Sequence, residues 1–82
     1  MKKVYYAVYD RKAELYSAPF LEVTDGTAIR ALQEAIRDGN HPFAKNPGDY
    51  SLHRLGTFED KTAEIEVEDK KKIIELETLE DK

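Results

Sequence analysis

Apolar and polar positions alternate with the period of a β-strand through the first part of the chain. In Lys3–Tyr9 both sets of alternate positions are apolar, and β-branched and aromatic residues dominate, which favours a central strand covered on both faces. A second extended segment, Glu14–Val23, alternates in a similar way but contains Pro19. Because proline donates no backbone hydrogen bond, this strand is predicted to lie at an edge or to be bulged. The two segments together predict a hairpin.

Between Thr24 and Asp38 the apolar period changes to that of a helix. Alanine, isoleucine and leucine residues recur at the spacing of a single apolar stripe. Thr24 or Asp25 is suited to cap the start of the helix, and Gly39 with Asn40 is suited to end it. The stripe predicts a helix that packs on a sheet.

The second half of the chain begins with an irregular connection and continues as strands. His41–Asp49 contains two prolines and a glycine, so it is predicted to be a loop that Phe43 anchors to the core. Tyr50–Phe58 is predicted to be a strand with a bulge at Gly56. Ala63–Val67 then alternates as the return strand of a second hairpin.

The order strand, strand, helix, strand, strand predicts an α+β fold, with one small antiparallel sheet and the helix packed on one face. A small barrel resembling an oligonucleotide-binding fold is the alternative. With 82 residues the chain is expected to form one domain, placed at residues 1–67. Residues 68–82 are predicted to be an acidic C-terminal segment, whose sequence fits a strand and a helix equally well.

The charge of the chain is concentrated near its end. The net charge is −4, and residues 1–62 are balanced, so residues 63–82 carry the whole excess. An acidic balance argues against nucleic acid as a partner, but weakly, because the acidic part is predicted to be separable. Within it, Lys70–Lys72 is the densest run of positive charge. No apolar run approaches 18 residues, so no membrane partner is expected.

The sequence contains no pattern typical of an enzyme. There is no cysteine, which excludes thiolate nucleophiles and sulfur-ligated metals. Ser17 and Ser51 lie outside any nucleophile-elbow pattern, and His41 and His53 lack the spacing of a metalloprotease pair. The scattered glycines form no phosphate-binding loop. We therefore expect a protein that is not an enzyme and holds neither cofactor nor metal.

Basic and aromatic residues are interleaved in one segment, Lys2–Lys12. Tyr5 and Tyr9 fall on one face of the predicted strand with cations at both ends, and such tyrosines can stack bases while the cations hold phosphates. A second basic group, with His41, surrounds the proline-rich connection. The candidate nucleic-acid-binding residues are Lys3, Tyr5, Tyr9, Arg11, Lys12, Lys45 and Arg54. The alternative is that the tyrosines pack as core or cross-strand pairs.

Three segments of the chain resemble the small nonstructural protein of gokushovirus-type microviruses, tailless bacteriophages with small circular single-stranded DNA genomes. They are Lys3–Asp10, Thr24–Arg30 and Asn40–Asp60, the last with the run Asn-x-Pro-Phe-x-Lys-x-Pro-x-Asp-Tyr-x-Leu-x-x-Leu-Gly-x-Phe. The resemblance extends from about residue 3 to residue 65. The residues after Val67 match no pattern of that family.

This resemblance implies a phage protein of the host cytoplasm that is absent from the virion or minor in it. Proteins of that family are commonly described as DNA-binding, with a proposed role in the shift from double-stranded replication to single-stranded genome synthesis and packaging. We expect a DNA-binding accessory protein that prefers single strands. The alternative is an interaction protein that docks on a phage or host replication protein and touches no DNA.

A homo-oligomer is also expected. The apolar first strand and an available sheet edge leave more hydrophobic surface than one helix can cover.

Overall fold

The computed structural model describes residues 1–79, which form an antiparallel sheet and one main helix. The elements are β1 (Lys2–Asp10), β2 (Leu15–Tyr16), β3 (Phe20–Glu22), α1 (Asp25–Asp38), α2 (Pro42–Lys45), β4 (Tyr50–Glu59) and β5 (Glu64–Glu75). Two 3-10 turns, Pro47–Asp49 and Leu76–Leu79, complete the order. The predicted α+β class is confirmed. The sheet is open, so the barrel alternative is wrong.

β1 is the central strand of the sheet. The strand order is β2-β1-β4-β5, and β3 pairs with β1 beside β2. The predicted second strand is therefore two short strands, interrupted before Pro19. In the gap, the Ser17 hydroxyl accepts a hydrogen bond from the backbone N–H of Val8 at 2.9 Å. This bond satisfies a β1 donor where the strand pairing is interrupted.

α1 begins and ends where its sequence predicts. The Thr24 side chain accepts from the backbone N–H of Thr27, and the Thr27 hydroxyl accepts from the backbone N–H of Thr24, a reciprocal cap. Gly39 ends the helix with φ 78°, in the left-handed region that glycine adopts without strain. The helix stripe and the sheet together form the core, which includes Val4, Tyr6, Val8, Ala28, Leu32, Ile36 and Leu52.

The connection between α1 and β4, predicted to be an irregular loop, contains the short helix α2 and a 3-10 turn, but Phe43 anchors it as predicted. His41 caps α2 by accepting from the backbone N–H of Phe43 through Nδ1, at 3.2 Å. Phe43 packs against the core, and its ring meets that of Tyr50 edge-on at 4.8 Å. The loop therefore lies on the same side of the sheet as α1.

The predicted bulge at Gly56 is confirmed. Tyr5 pairs with Gly56 and Tyr6 pairs with Arg54, so Leu55 is the extra residue of β4. The pairing of β4 with β5 shifts at the same place. The bulge changes which face each following residue of β4 occupies.

The domain boundary predicted after residue 67 falls inside β5, which corrects the prediction. Leu76 and Leu79, in the turn that follows β5, are buried in the core with 0% and 8% exposure. Ile73 and Ile74 pack against the same core. Residues 68–79 therefore belong to the domain, because their charged side chains lie on an edge strand while their apolar ones reach inward. The end of the predicted acidic segment, 80–82, lies outside the described residues.

Candidate nucleic-acid interface

One face of the sheet is free of helices in the part of the chain that the structure describes. Val4, Tyr6 and Val8 of β1 point to the face that packs under α1, so Tyr5 and Tyr9 point to the other. Pairing extends this second face, which we call the open face, onto the neighbouring strands. Its residues are Lys3, Tyr5, Ala7, Tyr9, Tyr16, Leu21, Ser51, His53, Phe58, Ile65, Val67, Lys72 and Glu75.

The register arranges these side chains in rows across the strands. One row crosses four strands and consists of Tyr16, Tyr9, Ser51 and Glu75. In the next row His53 lies beside Lys72. Aromatic, hydroxyl and charged groups are therefore neighbours at this end of the open face.

Tyr9, Tyr16 and His53 form an aromatic cluster. The two tyrosine rings lie 4.7 Å apart, and the imidazole meets them edge-on at 6.1 and 5.5 Å. Tyr16 is 43% exposed, so the cluster presents ring surface to solvent. Ser51 is nonetheless buried, because these rings are its neighbours on a face that no described helix covers.

Hydrogen bonds fix the imidazole of His53 in this cluster. Its Nδ1 lies 3.1 Å from the backbone carbonyl of Lys70, and its Nε2 lies 2.9 Å from the Ser51 hydroxyl. Because a carbonyl oxygen only accepts, Nδ1 carries the proton and Nε2 accepts from Ser51. Both ring nitrogens therefore have hydrogen-bond partners, and these bonds hold the ring in place.

A second ring pair lies farther along the open face. Tyr5 and Phe58 meet edge-on with ring centres 6.2 Å apart, and Lys3 pairs with Phe58 in register. Tyr9 lies four positions after Tyr5 in β1, or roughly 13 Å along an extended strand. The open face therefore offers two places where a base could stack, with a lysine beside the second.

Arg11 and Lys72 both contact the carboxylate of Glu75. The distances are 2.5 Å from Arg11 Nη2 to Oε1 and 2.8 Å from Lys72 Nζ to Oε2. Arg11 also donates to the backbone carbonyl of Gly48 at 2.8 Å. The bonds from Lys72 and Arg11 lower the pKa of the Glu75 carboxyl, which is therefore ionised at neutral pH.

Arg54 lies on the opposite side of the sheet, away from Tyr5 and Tyr9. It donates to Glu68 at 2.7 Å and lies 3.5 Å from Asp25, and the bond to Glu68 raises the pKa of Arg54. The buried Tyr6 hydroxyl donates to Asp25, and burial together with this bond raises the pKa of Tyr6. These groups tie β1, β4 and β5 to the start of α1, and Arg54 is not brought to the open face.

The other predicted site residues are divided between the two sides. Lys3, Tyr5, Tyr9 and Arg11 are brought together on or beside the open face. Lys12 lies exposed in the turn between β1 and β2. Lys45 lies exposed at the end of α2, with the helices. Sequence reasoning missed Tyr16, His53 and Phe58 as members of the site.

The model of the phage ORF5 protein family matches residues 3–79. The chain belongs to the phage ORF5 protein family. No curated protein and no solved structure matches it. The match to the phage ORF5 family includes β5 and the turn Leu76–Leu79, beyond the segments that carry the microvirus resemblance. Within residues 1–79, no helix is long and apolar enough to cross a membrane.

Proposed function

We propose that this phage protein is a non-enzymatic DNA-binding accessory protein that prefers single strands. The aromatic cluster Tyr9, Tyr16 and His53 on the open face carries the proposal. Stacking of a base on an aromatic side chain contributes about 1–3 kcal/mol and needs no particular sequence. The resemblance to a microvirus protein supports a role in genome replication, or in the switch to single-strand synthesis and packaging, in the host cytoplasm.

The preference for single strands follows from the kind of groups on the open face. Rings can stack only on bases that are already exposed, and a duplex keeps its bases stacked inside. The cations that would hold a duplex backbone are few here, and Arg11 and Lys72 are already paired with Glu75. Stacking therefore supplies most of the affinity that we propose.

Fluorescence anisotropy with labelled single- and double-stranded oligonucleotides, at two salt concentrations, tests the proposal. If about three phosphates are neutralised, log K falls with a slope of roughly −2 against log salt, so fourfold more salt weakens binding about twentyfold. The single strand should bind more tightly than the duplex. Absence of binding at low salt would contradict the proposal.

Tyr16→Ala is expected to weaken single-strand binding about tenfold, since it removes one stacking surface. Leu15→Ala is the matched control, because Leu15 is the adjacent residue of β2, is also exposed, and points to the other side of the sheet. Leu15→Ala should bind like the unmodified protein. Equal losses in the two variants would show that the open face is not the binding surface.

A docking protein is the second candidate function, and the far end of the open face favours it. Ile65 and Val67 are 59% and 89% exposed, and Leu21 is exposed on the same face. Aliphatic side chains do not stack bases, and clustered apolar exposure is typical of protein interfaces. A phage or host replication protein would be the partner. If this protein binds no oligonucleotide at low salt, that result would favour the docking function.

A further inference from the structure

The carboxylate of Glu75 occupies a position with the features of an anion site. Arg11 and Lys72 approach it from two elements, the turn after β1 and strand β5, and each contacts a different carboxylate oxygen. An arginine fork and a lysine ammonium are also the groups that proteins use to bind phosphate. A carboxylate and a phosphate both present negatively charged oxygen atoms that accept hydrogen bonds from such cations.

This position adjoins the aromatic cluster. Ser51 pairs with Tyr9 on one side and with Glu75 on the other. Arg11 Nη1 lies 3.4 Å from the Ser51 hydroxyl, which itself contacts His53 at 2.9 Å. A nucleotide whose base lies on the rings would have its phosphate close to the two cations.

We infer that Arg11 and Lys72 form a phosphate subsite for the DNA backbone, which Glu75 fills in the free protein. The inference rests on the proposed function. The three side chains are partly exposed, and ion pairs in such positions contribute little to stability, so a phosphate can displace the carboxylate. Glu75 then acts as an internal competitor that lowers the affinity of the protein for DNA.

The backbone around Glu75 is held in place, whereas its carboxylate is partly exposed to solvent. The Thr78 hydroxyl donates to the Glu75 backbone carbonyl at 2.7 Å, and the next residue, Leu76, is fully buried. Exchange of carboxylate for phosphate therefore needs only a change of side-chain rotamer. No strand has to move.

Glu75→Gln in the full chain tests the inference with a labelled single-stranded oligonucleotide. The amide no longer holds the two cations as a charged partner, so we expect binding about fivefold tighter at low salt. The salt slope should steepen by about 0.7 for one additional phosphate neutralised. Arg11→Gln combined with Glu75→Gln should lose this gain.

Glu66→Gln is the matched control. It removes one negative charge from the same strand, but Glu66 pairs with Lys2 at 3.4 Å and lies away from the open face. Its effect on affinity should be small. If the unmodified protein binds DNA, and Glu75→Gln and Glu66→Gln change the affinity equally, the phosphate subsite is overturned while the proposed function stands. If neither the unmodified protein nor Glu75→Gln binds at low salt, the proposed function fails and the subsite with it.

Discussion

Gly56 lies where the backbone of β4 closely approaches that of β5. A Cβ atom built there would lie 2.1 Å from the backbone carbonyl oxygen of Glu66, and 3.3 Å from the Cα of Val67. Both obstacles are backbone atoms of β5, so no side-chain rotation can relieve the contact. Glycine is required for space at this position.

Gly56→Ala is therefore expected to lower the free energy of unfolding by about 1–3 kcal/mol, the usual cost of overpacking. Urea unfolding followed by circular dichroism measures it. Gly26→Ala is the matched control, since a Cβ there meets only the Thr24 hydroxyl, at an ordinary 3.6 Å. The control should be neutral or slightly stabilising. A Gly56→Ala variant as stable as the control would show that β5 yields easily at the bulge.

Alternation along β1 was enough to predict that Tyr5 and Tyr9 share a face, because that strand has no extra residue. It could not place Arg54, since the bulge at Leu55 puts Arg54 and Gly56 on opposite faces although they are two residues apart. Tyr16 joins the site only through the turn that follows β1, where Glu14 has φ 57°. The residue pattern along one β-strand does not reveal which residues of other β-strands lie beside it.

At the level of elements, the fold class and α1 were predictable because each has a local signal in the sequence. The alternation of apolar residues indicates the strands, and the apolar stripe with its caps indicates α1. The start of β5 was also predictable from its alternation, but residues 68–75 of β5 and the turn after it fit a strand and a helix equally well. The charged residues of an exposed edge strand resemble a solvated tail. The buried leucines of that turn become recognisable as core only when α1 and β4 are already in place. Long-range packing decides the end of this domain.

Leu76→Ala is expected to lower the free energy of unfolding by about 2–5 kcal/mol, because Leu76 is fully buried and the cavity cannot close completely. Thermal and urea unfolding both report this loss. Leu15→Ala deletes the same atoms at a residue 66% exposed, and should change stability by less than about 0.5 kcal/mol. Equal stability of the two variants would mean that the last turn is dispensable.

As a whole, the described chain is elongated, with extents of 40 × 23 × 17 Å. α1 has 14 residues, or about 21 Å of helix, so it covers only part of the long dimension. Independently of α1, the far end of the open face, on the side of the sheet away from the helix, exposes Ile65 and Val67. We propose that a second copy of the chain covers this end.

Light scattering should then report a mass of twice 9.4 kDa at high protein concentration. Replacing Ile65 and Val67 together by serine should shift the mass to that of the monomer without loss of secondary structure, because both side chains are exposed within one protomer. The Leu15→Ala variant serves again as control and should remain dimeric. A monomer at every concentration would contradict the dimer.

The central position of β1 has a consequence for synthesis. β1 is translated before β4, with which it pairs from Lys2 opposite Glu59 to Asp10 opposite Tyr50. Leu76 and Leu79 of the core are translated later still. Native contacts between such distant segments form slowly. On the ribosome, β1 therefore cannot pair with β4 until Tyr50–Glu59 has been translated. We therefore expect the nascent chain to expose apolar surface and an unpaired strand edge during that interval, which makes it prone to aggregation.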